Sequence, residues 1–237
     1  MVHTDLMAKF FQTDFPLNRD GVEELLASFK IVHIPKNTLL LQEGATESTL
    51  RFINTGIIRE FYSNSKKDTN INFFSSPQFI TDFSSFIHDV PSKRNQESLT
   101  DLEILVLGKE KFNRLLEKYS CAKEFIGLAF QKILAQKELF EYNRITKTPE
   151  ELYKELLIYK AQWLHNIPQY HIASYLGITP ETLSRIRKRI YWFESMDSPP
   201  WAAFFVFIID LQQHNKQWKY ITLEMQPWLL KQVNTLF

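Results

Sequence analysis

Cysteine is almost absent from the sequence, which contains one residue of this type, Cys121. A single thiol cannot form a disulfide within the chain, and it cannot supply the cysteine ligands of an iron–sulfur cluster or a structural zinc site. Long apolar runs are also missing, because the longest, Trp201–Ile209, is far shorter than the roughly 20 residues that span a bilayer. Met1–Phe10 has no apolar core typical of a signal peptide. We therefore expect a cytoplasmic protein without a membrane partner.

The sequence patterns of common enzymes are missing as well. There is no Gly-rich phosphate loop, no nucleophile elbow and no cluster of metal ligands, and His165 and His171 have no carboxylate at ligand spacing. The sequence therefore predicts no enzymatic activity, no metal and no certain cofactor. The formal net charge is only +1, so that any surface for nucleic acid must be local.

The first half of the chain is predicted to be rich in short strands. Residues 5–29 have helical spacing, with Leu25, Leu26 and Phe29 facing a core. Short β-branched and aromatic runs separated by turn residues then indicate a small β-roll or barrel. The predicted strands are Ile31–Ile34, Thr38–Gln42, Leu50–Asn54, Ile57–Tyr62, Asn70–Phe74 and Leu102–Leu107.

From Lys109 the hydrophobic period becomes helical. Lys109–Tyr119 is predicted as a short helix and Ala122 to about Ile145 as a long one, which carries a heptad-like seam. Two interpretations stay open: the helix packs on its own roll, or it forms a parallel dimer with a second copy. The dimer is favoured because the strand-rich half is large enough to be complete without the seam. The seam residues are Ile126, Ala129, Ile133, Gln136 and Phe140.

Residues 167–190 predict two short helices joined by a tight turn. Ile172 and Leu176 form the inner face of the first helix, and Ala173 is small where a second helix passes close. Gly177 stands where the chain reverses and favours positive φ. Thr179 is suited to cap the second helix.

The second of these helices is predicted to have an apolar back and a basic front. Pro180 suits its first position, and Leu183, Ile186 and Ile190 face inward. A helix with this pattern fits the major groove of DNA, whereas the alternative is an ordinary helical hairpin with a solvated charged face. The outward residues are Glu181, Thr182, Ser184, Arg185, Lys188 and Arg189.

These segments resemble the Crp/Fnr superfamily of bacterial transcription regulators. Gly177 followed by Glu181–Ile186 is similar to the recognition motif of that family, and Ile34–Gly44 and Phe52–Arg59 are similar to the opening strands of its cyclic-nucleotide-binding-type roll. The order of roll, long helix and helix-turn-helix is also the family's. The resemblance implies an α+β protein with an N-terminal jelly-roll-like β-roll, a long dimerisation helix, a C-terminal helical helix-turn-helix domain and an atypical tail.

The resemblance also implies how the protein would contact DNA. Glu181 would accept from cytosine N4 and Arg185 would donate to guanine O6 and N7, with Ser184 on the same face. Pro180 stands where family members often carry a third base-reading residue, so the operator need not match a familiar consensus. The residues expected on phosphates are Gln169, Thr179, Thr182, Lys188 and Arg189.

The ligand loop that the resemblance implies departs from the family pattern. The stretch that would hold a sugar-phosphate includes Phe79, with Thr81 in place of a glycine and Asp82 in place of a longer glutamate. The arginine position falls at Lys93 or Arg94, without the following Ser or Thr. Cyclic AMP or cyclic GMP is therefore a disfavoured ligand, and another small effector or none is expected.

The resemblance and the patterns together give four predicted segments. They are a roll at 1–108, connecting and dimerisation helices at 109–147, a helix-turn-helix domain at 148–190 and an atypical extension at 191–237. The extension fits a strand, a packed helix or a partner-binding segment, with the packed helix slightly favoured. Expected partners are double-stranded DNA, a second copy of the chain and RNA polymerase. The alternative function is a ligand-binding module that controls a protein partner without binding DNA.

Overall fold

A computed structural model describes residues 7, 19–65, 67–119 and 122–197. These residues fall into two compact units whose boundary in the sequence lies between Pro180 and Glu181. The strands are β1 Lys30–Ile34, β2 Leu39–Leu41, β3 Thr49–Thr55, β4 Ile57–Ser63, β5 Asp68–Ser75, β6 Gln78–Ile80, β7 Asn95–Ser98 and β8 Leu102–Gly108. The helices are α1 Arg19–Ser28, α2 Phe83–His88, α3 Lys109–Lys118, α4 Ala122–Thr146, α5 Pro149–Tyr159, α6 Ala161–Asn166, α7 Gln169–Leu176 and α8 Pro180–Asp197.

The strands of the first unit form two antiparallel sheets, with orders β1-β8-β3-β6 and β2-β7-β4-β5. From the sequence, Leu50–Asn54, a turn at Thr55-Gly56 and Ile57–Tyr62 predict a β-hairpin, and this prediction is wrong. β3 pairs with β6 and β8, whereas β4 pairs with β5 and β7, so the turn passes from one sheet to the other. Gly56 has φ +98°, and a Cβ there would lie 2.6 Å from the main-chain oxygen of Asp101. Only glycine fits this position, for both reasons. The β-roll that the sequence predicted is confirmed.

The core of the roll forms where its apolar side chains meet α1, α2 and α3. Leu25 and Phe29 are buried there and Leu26 packs against the same cluster, as the helical spacing predicted. Burial of this apolar surface is the main stabilising contribution to the unit. The buried members are Met7, Leu25, Phe29, Leu50, Phe52, Phe86, Leu105, Leu107, Phe112, Leu115 and Leu116.

Three elements of the roll were not predicted: β6, α2 and β7. Each is six residues or shorter, and β7 is made of Asn95, Gln96, Glu97 and Ser98. A strand without apolar residues lacks the alternation on which strand prediction rests. It is nevertheless an inner strand of its sheet, between β2 and β4.

The helices after the roll follow the predicted boundaries closely. The long helix runs from Ala122 to Thr146. From the sequence, Thr148 as N-cap, Pro149 at the first helical position and acids in the first turn predict a helix start here. The structure confirms it: Thr148 caps α5 through a capping box in which Thr148 and Glu151 bond each other's main chain. The next helical stretch is interrupted at Lys160, which separates α5 from α6. No described helix is long and apolar enough to cross a membrane.

The second unit contains α8, which continues past the predicted end at Ile190 to Asp197. The first seven residues of the predicted extension, 191–197, are therefore helical. The rest of that extension, 198–237, lies outside the described residues.

Candidate nucleic-acid interface and ligand loop

The first helix of the predicted helix-turn-helix is α7, and it ends as the sequence predicted. Ile172 and Ala173 are fully buried, and Leu176 is buried as well. Gly177 adopts φ +72°, and the main-chain N–H of Ile178 donates to the oxygen of Ala173 at 3.0 Å. A left-handed residue just after the last turn is the common way to end a helix, and glycine adopts it without steric cost.

In the second unit, α8 separates apolar from polar side chains along its length. Leu183, Ile186 and Ile190 are buried, at 1%, 4% and 5% exposure. The residues of α8 that were predicted to contact DNA are exposed, and so is Thr179 before the helix, whereas Gln169 at the start of α7 is half-buried. One helix face thus presents hydroxyls, a carboxylate and cations, the groups that contact base edges and phosphates. The exposed residues of that face are Glu181, Thr182, Ser184, Arg185, Lys188 and Arg189.

In the predicted ligand loop, Asp82 is held by the protein's own groups. Its carboxylate caps α2 by accepting from the main-chain N–H of Ser85 at 3.3 Å and also accepts from the Ser92 hydroxyl at 2.6 Å. Arg94 donates to Glu60 at 3.1 Å. The structure therefore brings Asp82 and Arg94 to the same loop, through Ser92, but with both charged groups already paired.

The other predicted ligand residues have structural contacts or lie in solvent. The ring of Phe79 packs against Phe52 with 4.9 Å between ring centroids, and the Thr81 hydroxyl donates to the main-chain oxygen of Thr49 at 3.1 Å. Lys93 is exposed. Phe79 thus packs against the core, and the Thr81 hydroxyl bonds its loop to β3.

A buried polar network next to this loop was missed from the sequence. Arg51 forms a two-bonded ion pair with Glu47, at 2.8 Å for both bonds, and donates to Gln96 at 3.1 Å. Gln96 in turn donates to Glu60 at 3.1 Å, and burial raises the pKa of Glu60. The buried polar groups of this network satisfy one another's hydrogen-bonding capacity. Arg51, Glu60 and Gln96 lie on three different strands and Glu47 lies just before β3, so the local spacing of residues does not reveal the whole network.

The predicted dimer seam is only partly described. Phe140 is half-buried, and its ring lies 6.1 Å from that of Tyr175 in α7. The side chains of Ile126, Ala129, Ile133 and Gln136 lie outside the described residues. Other large apolar side chains on α4 are exposed, namely Leu134, Leu139, Tyr142 and Ile145.

The strand β5 is covered by α6 and α7. Phe73 packs edge-on against Trp163 at 5.3 Å and lies 5.6 Å from Tyr175, between ring centroids. Ser75 accepts from the Gln162 amide at 2.7 Å. The first helix of the predicted motif therefore lies on the roll within one compact unit.

His171 of α7 is buried against the same strand and lies beside a cleft. Burial, together with the charge of Arg59, lowers its pKa to about 4. The cleft has a volume of about 580 Å³ and is bordered by Lys36, Asp68 and Glu97 among others. Among the described residues, no group of three or more His, Cys, Asp or Glu is placed to hold a metal ion.

The roll matches a known family of protein domains. Residues 31–119 match the family described as the cyclic nucleotide-binding domain. This range runs from β1 to the end of α3, and so it contains the predicted ligand loop. The chain therefore contains a domain of the cyclic nucleotide-binding type, and the resemblance predicted from the sequence is confirmed for this part of the chain. No curated protein shows significant sequence similarity to the chain.

Several solved structures share this fold at low sequence identity. FixK2 from Bradyrhizobium japonicum is 15% identical with a TM-score of 0.55, covering 69% of this chain and 84% of its own. CLP from Xanthomonas campestris, described as a c-di-GMP-responsive global regulator, is 16% identical with a TM-score of 0.53, covering 73% and 91%. A CooA mutant from Carboxydothermus hydrogenoformans is 14% identical with a TM-score of 0.53, covering 72% and 79%.

Proposed function

We propose that the protein is a sequence-specific DNA-binding transcription regulator of the Crp/Fnr type, with α8 as its recognition helix. The observation that carries this proposal is the separation of side chains on α8: Leu183, Ile186 and Ile190 are buried, while the residues around Arg185 are exposed. A helix that buries its apolar side and exposes short polar and basic residues is suited to enter the major groove.

The roles of individual residues follow from their chemistry. Arg185 would donate two hydrogen bonds to a guanine, and Glu181 would accept from a cytosine. Ser184 would contribute to the same surface. The phosphate contacts would come from Gln169, Thr179, Thr182, Lys188 and Arg189, while Pro180 would shape the start of the helix without donating.

We propose a homodimer in which α4 of one protomer packs on α4 of its partner. The exposed side chains of Leu134, Tyr142 and Ile145 supply apolar surface on this helix, and the seam predicted from the sequence includes Ile126 and Ile133. Two-fold symmetry would place two recognition helices in major grooves about 34 Å apart on a near-palindromic site. RNA polymerase is a proposed further partner of the DNA-bound dimer.

We do not assign a cyclic nucleotide to the roll, because Asp82 and Arg94 are paired within the protein. Calorimetric titration with cyclic AMP, cyclic GMP and, because CLP responds to it, c-di-GMP tests this assignment. No binding heat is expected from cyclic AMP or cyclic GMP. Binding by either that is lost in Arg94→Ala would contradict the assignment.

The proposed function is tested by selecting DNA from a random-sequence pool with the purified protein. We expect an enriched near-palindrome whose binding weakens steeply with salt. Arg185→Ala should lose about 1–3 kcal/mol of discrimination at one base position. Arg114→Ala is the matched control, because Arg114 is also an exposed arginine but lies on α3, away from the proposed recognition helix.

The same selection separates the two candidate functions. Failure of the protein to enrich any sequence, with or without the three nucleotides, would contradict the DNA-binding proposal. The alternative, a roll that controls a protein partner, is then the one to pursue. The observation that favours this alternative is that the family match covers the roll and not the helices after α3.

A further inference from the structure

Asn70 connects the roll to α7 through both its main chain and its side chain. It lies in β5, which is an edge strand of its sheet. Its main-chain N–H donates to the Ser174 hydroxyl at 3.0 Å. Its side-chain Nδ2 lies 3.0 Å from Nδ1 of His171 and donates to the main-chain oxygen of the same residue at 3.3 Å. One main-chain donor of this edge strand is thereby satisfied by a helix of the predicted DNA-binding motif.

The orientation of the Asn70 amide is set by a neighbouring charge. Arg59 in β4 donates to Asn70 Oδ1 at 3.4 Å, so that Nδ2 must be the atom that faces α7. Because Nδ2 is a donor, Nδ1 of His171 must accept, which requires a neutral ring with its proton on Nε2. The lowered pKa of His171 agrees with this requirement.

Arg59 is itself fixed by two carboxylates. It donates to Glu97 in β7 at 2.6 Å and to Asp68 in β5 at 3.0 Å. A continuous series of contacts therefore leads from β7, the strand directly after the predicted ligand loop, through Arg59 and Asn70 to α7. The charged groups around His171 on the roll side are Arg59 and Asp68, with Lys36 and Glu97 on the border of the same cleft.

We propose that Asn70 is a positioning residue for DNA binding: it fixes α7, the first helix of the predicted helix-turn-helix, on the roll. The proposal rests on the proposed function above. A dimer binds two half-sites whose separation is fixed by the DNA, so both motifs must be oriented correctly at once. If α7 is released, a smaller fraction of the protein is competent to bind, and the apparent affinity falls by that fraction.

The first test compares Asn70→Ala with Asn72→Ala on the selected operator. Asn72 is the matched control, because it is the same residue type two positions along β5 and its hydrogen bond is to the neighbouring main-chain N–H of Phe73. We expect Asn70→Ala to weaken specific binding by about 3- to 30-fold, the range of known coupling effects. It should also accept operators with one base pair added between half-sites, whereas Asn72→Ala should match the wild type in both respects.

A second variant gives a readout that lost stability alone would not produce. Asn70→Asp keeps the shape and the acceptor for Arg59 but removes the donor. Its carboxylate can still bond His171 when the ring is protonated. DNA affinity of Asn70→Asp should therefore fall as the pH rises from about 6 to about 8, where His171 loses its proton. The wild type should be unchanged there, because its neutral ring has no proton to lose.

The outcomes distinguish this proposal from the proposed function. If the wild type selects no DNA, the proposed function fails. If the wild type binds and Asn70→Ala binds with the same affinity and spacing preference as Asn72→Ala, the positioning role of Asn70 is wrong. Tighter binding by Asn70→Ala would also overturn it, because the contact would then hold the motif away from its DNA-binding orientation.

Discussion

The Asp82 carboxylate accepts a 2.6 Å hydrogen bond from the Ser92 hydroxyl, which joins the two ends of the segment that would surround a ligand. Ser92 also accepts from the main-chain N–H of Arg94 at 3.0 Å. Asp82 therefore has a structural role in this chain, because its carboxylate also caps α2. The predicted ligand loop is held together by hydrogen bonds among its own residues.

We predict that Asp82→Ala lowers the free energy of unfolding by about 1–2 kcal/mol, because it removes the cap of α2 and the partner of Ser92. Urea denaturation followed by circular dichroism measures the change. Glu110→Ala is the control, since Glu110 is 91% exposed and its ion pair with Arg114 should contribute little. A variant of Asp82 as stable as the wild type would contradict a structural role for this carboxylate.

We predict that Glu47→Ala is strongly destabilising, by about 3–5 kcal/mol, because it leaves the buried Arg51 guanidinium without its counter-ion. Only 6% of Arg51 and 1% of Glu47 is exposed. The double variant Glu47→Leu/Arg51→Met should recover much of the loss, since it removes both charges. Thermal and urea unfolding of the three proteins measures this, and equal stability of the single and double variants would contradict the explanation.

The parts of the fold that were predicted correctly are those with a strong local pattern. Short β-branched and aromatic runs bounded by turn residues located β3 and β4, and the Thr148 cap with its following Pro and Glu located the start of α5. The polar strand β7 was missed because its role depends on partners far away in sequence: Gln96 bonds Arg51 and Glu60. Such pairings become visible only when the sheets are assembled.

In the candidate sites, too, the features with a local sequence pattern could be predicted and those that depend on distant residues could not. The exposed face of α8 could be predicted, because helical spacing alone assigns Leu183 and Ile186 to one side and Arg185 to the other. The hydrogen bonding of the ligand loop could not be predicted, because nothing in the local sequence shows that Arg94 pairs with Glu60. The contact of Asn70 with His171 spans 101 residues, and neither residue carries a signal of it in its own surroundings.

We predict that protonation of His171 destabilises the first unit in acid. Its pKa is about 4 in the folded protein against the ordinary value of 6.5, so the unfolded chain binds more protons between these values. The resulting stabilisation, about 2–3 kcal/mol, is present in full above pH 6.5 and is lost as the pH falls towards 4. Unfolding free energies measured from pH 7.5 to 4 should show this slope.

The comparison protein for this experiment is His171→Asn, whose side-chain oxygen can accept from Asn70 but does not titrate in this range. Its unfolding free energy should depend less on pH than that of the wild type between pH 6.5 and 4. The difference between the two curves isolates His171 from the carboxylates that also titrate in acid. Parallel curves would show that the ring is not held neutral by its surroundings.

Two glycine substitutions should have opposite effects, because the two glycines differ in backbone conformation. Gly177 adopts φ +72°, and an alanine there should cost about 1–2 kcal/mol from the left-handed conformation. Gly127 lies inside α4, and no atom of the described part of the chain comes within 4 Å of its Cβ position, so Gly127→Ala should stabilise the protein by about 0.5–1 kcal/mol through helix propensity. Urea unfolding measures both changes. Because Gly177 also ends α7 before the turn to α8, Gly177→Ala should weaken operator binding and Gly127→Ala should not, and equal operator binding by the two variants would show that this turn does not need its left-handed residue.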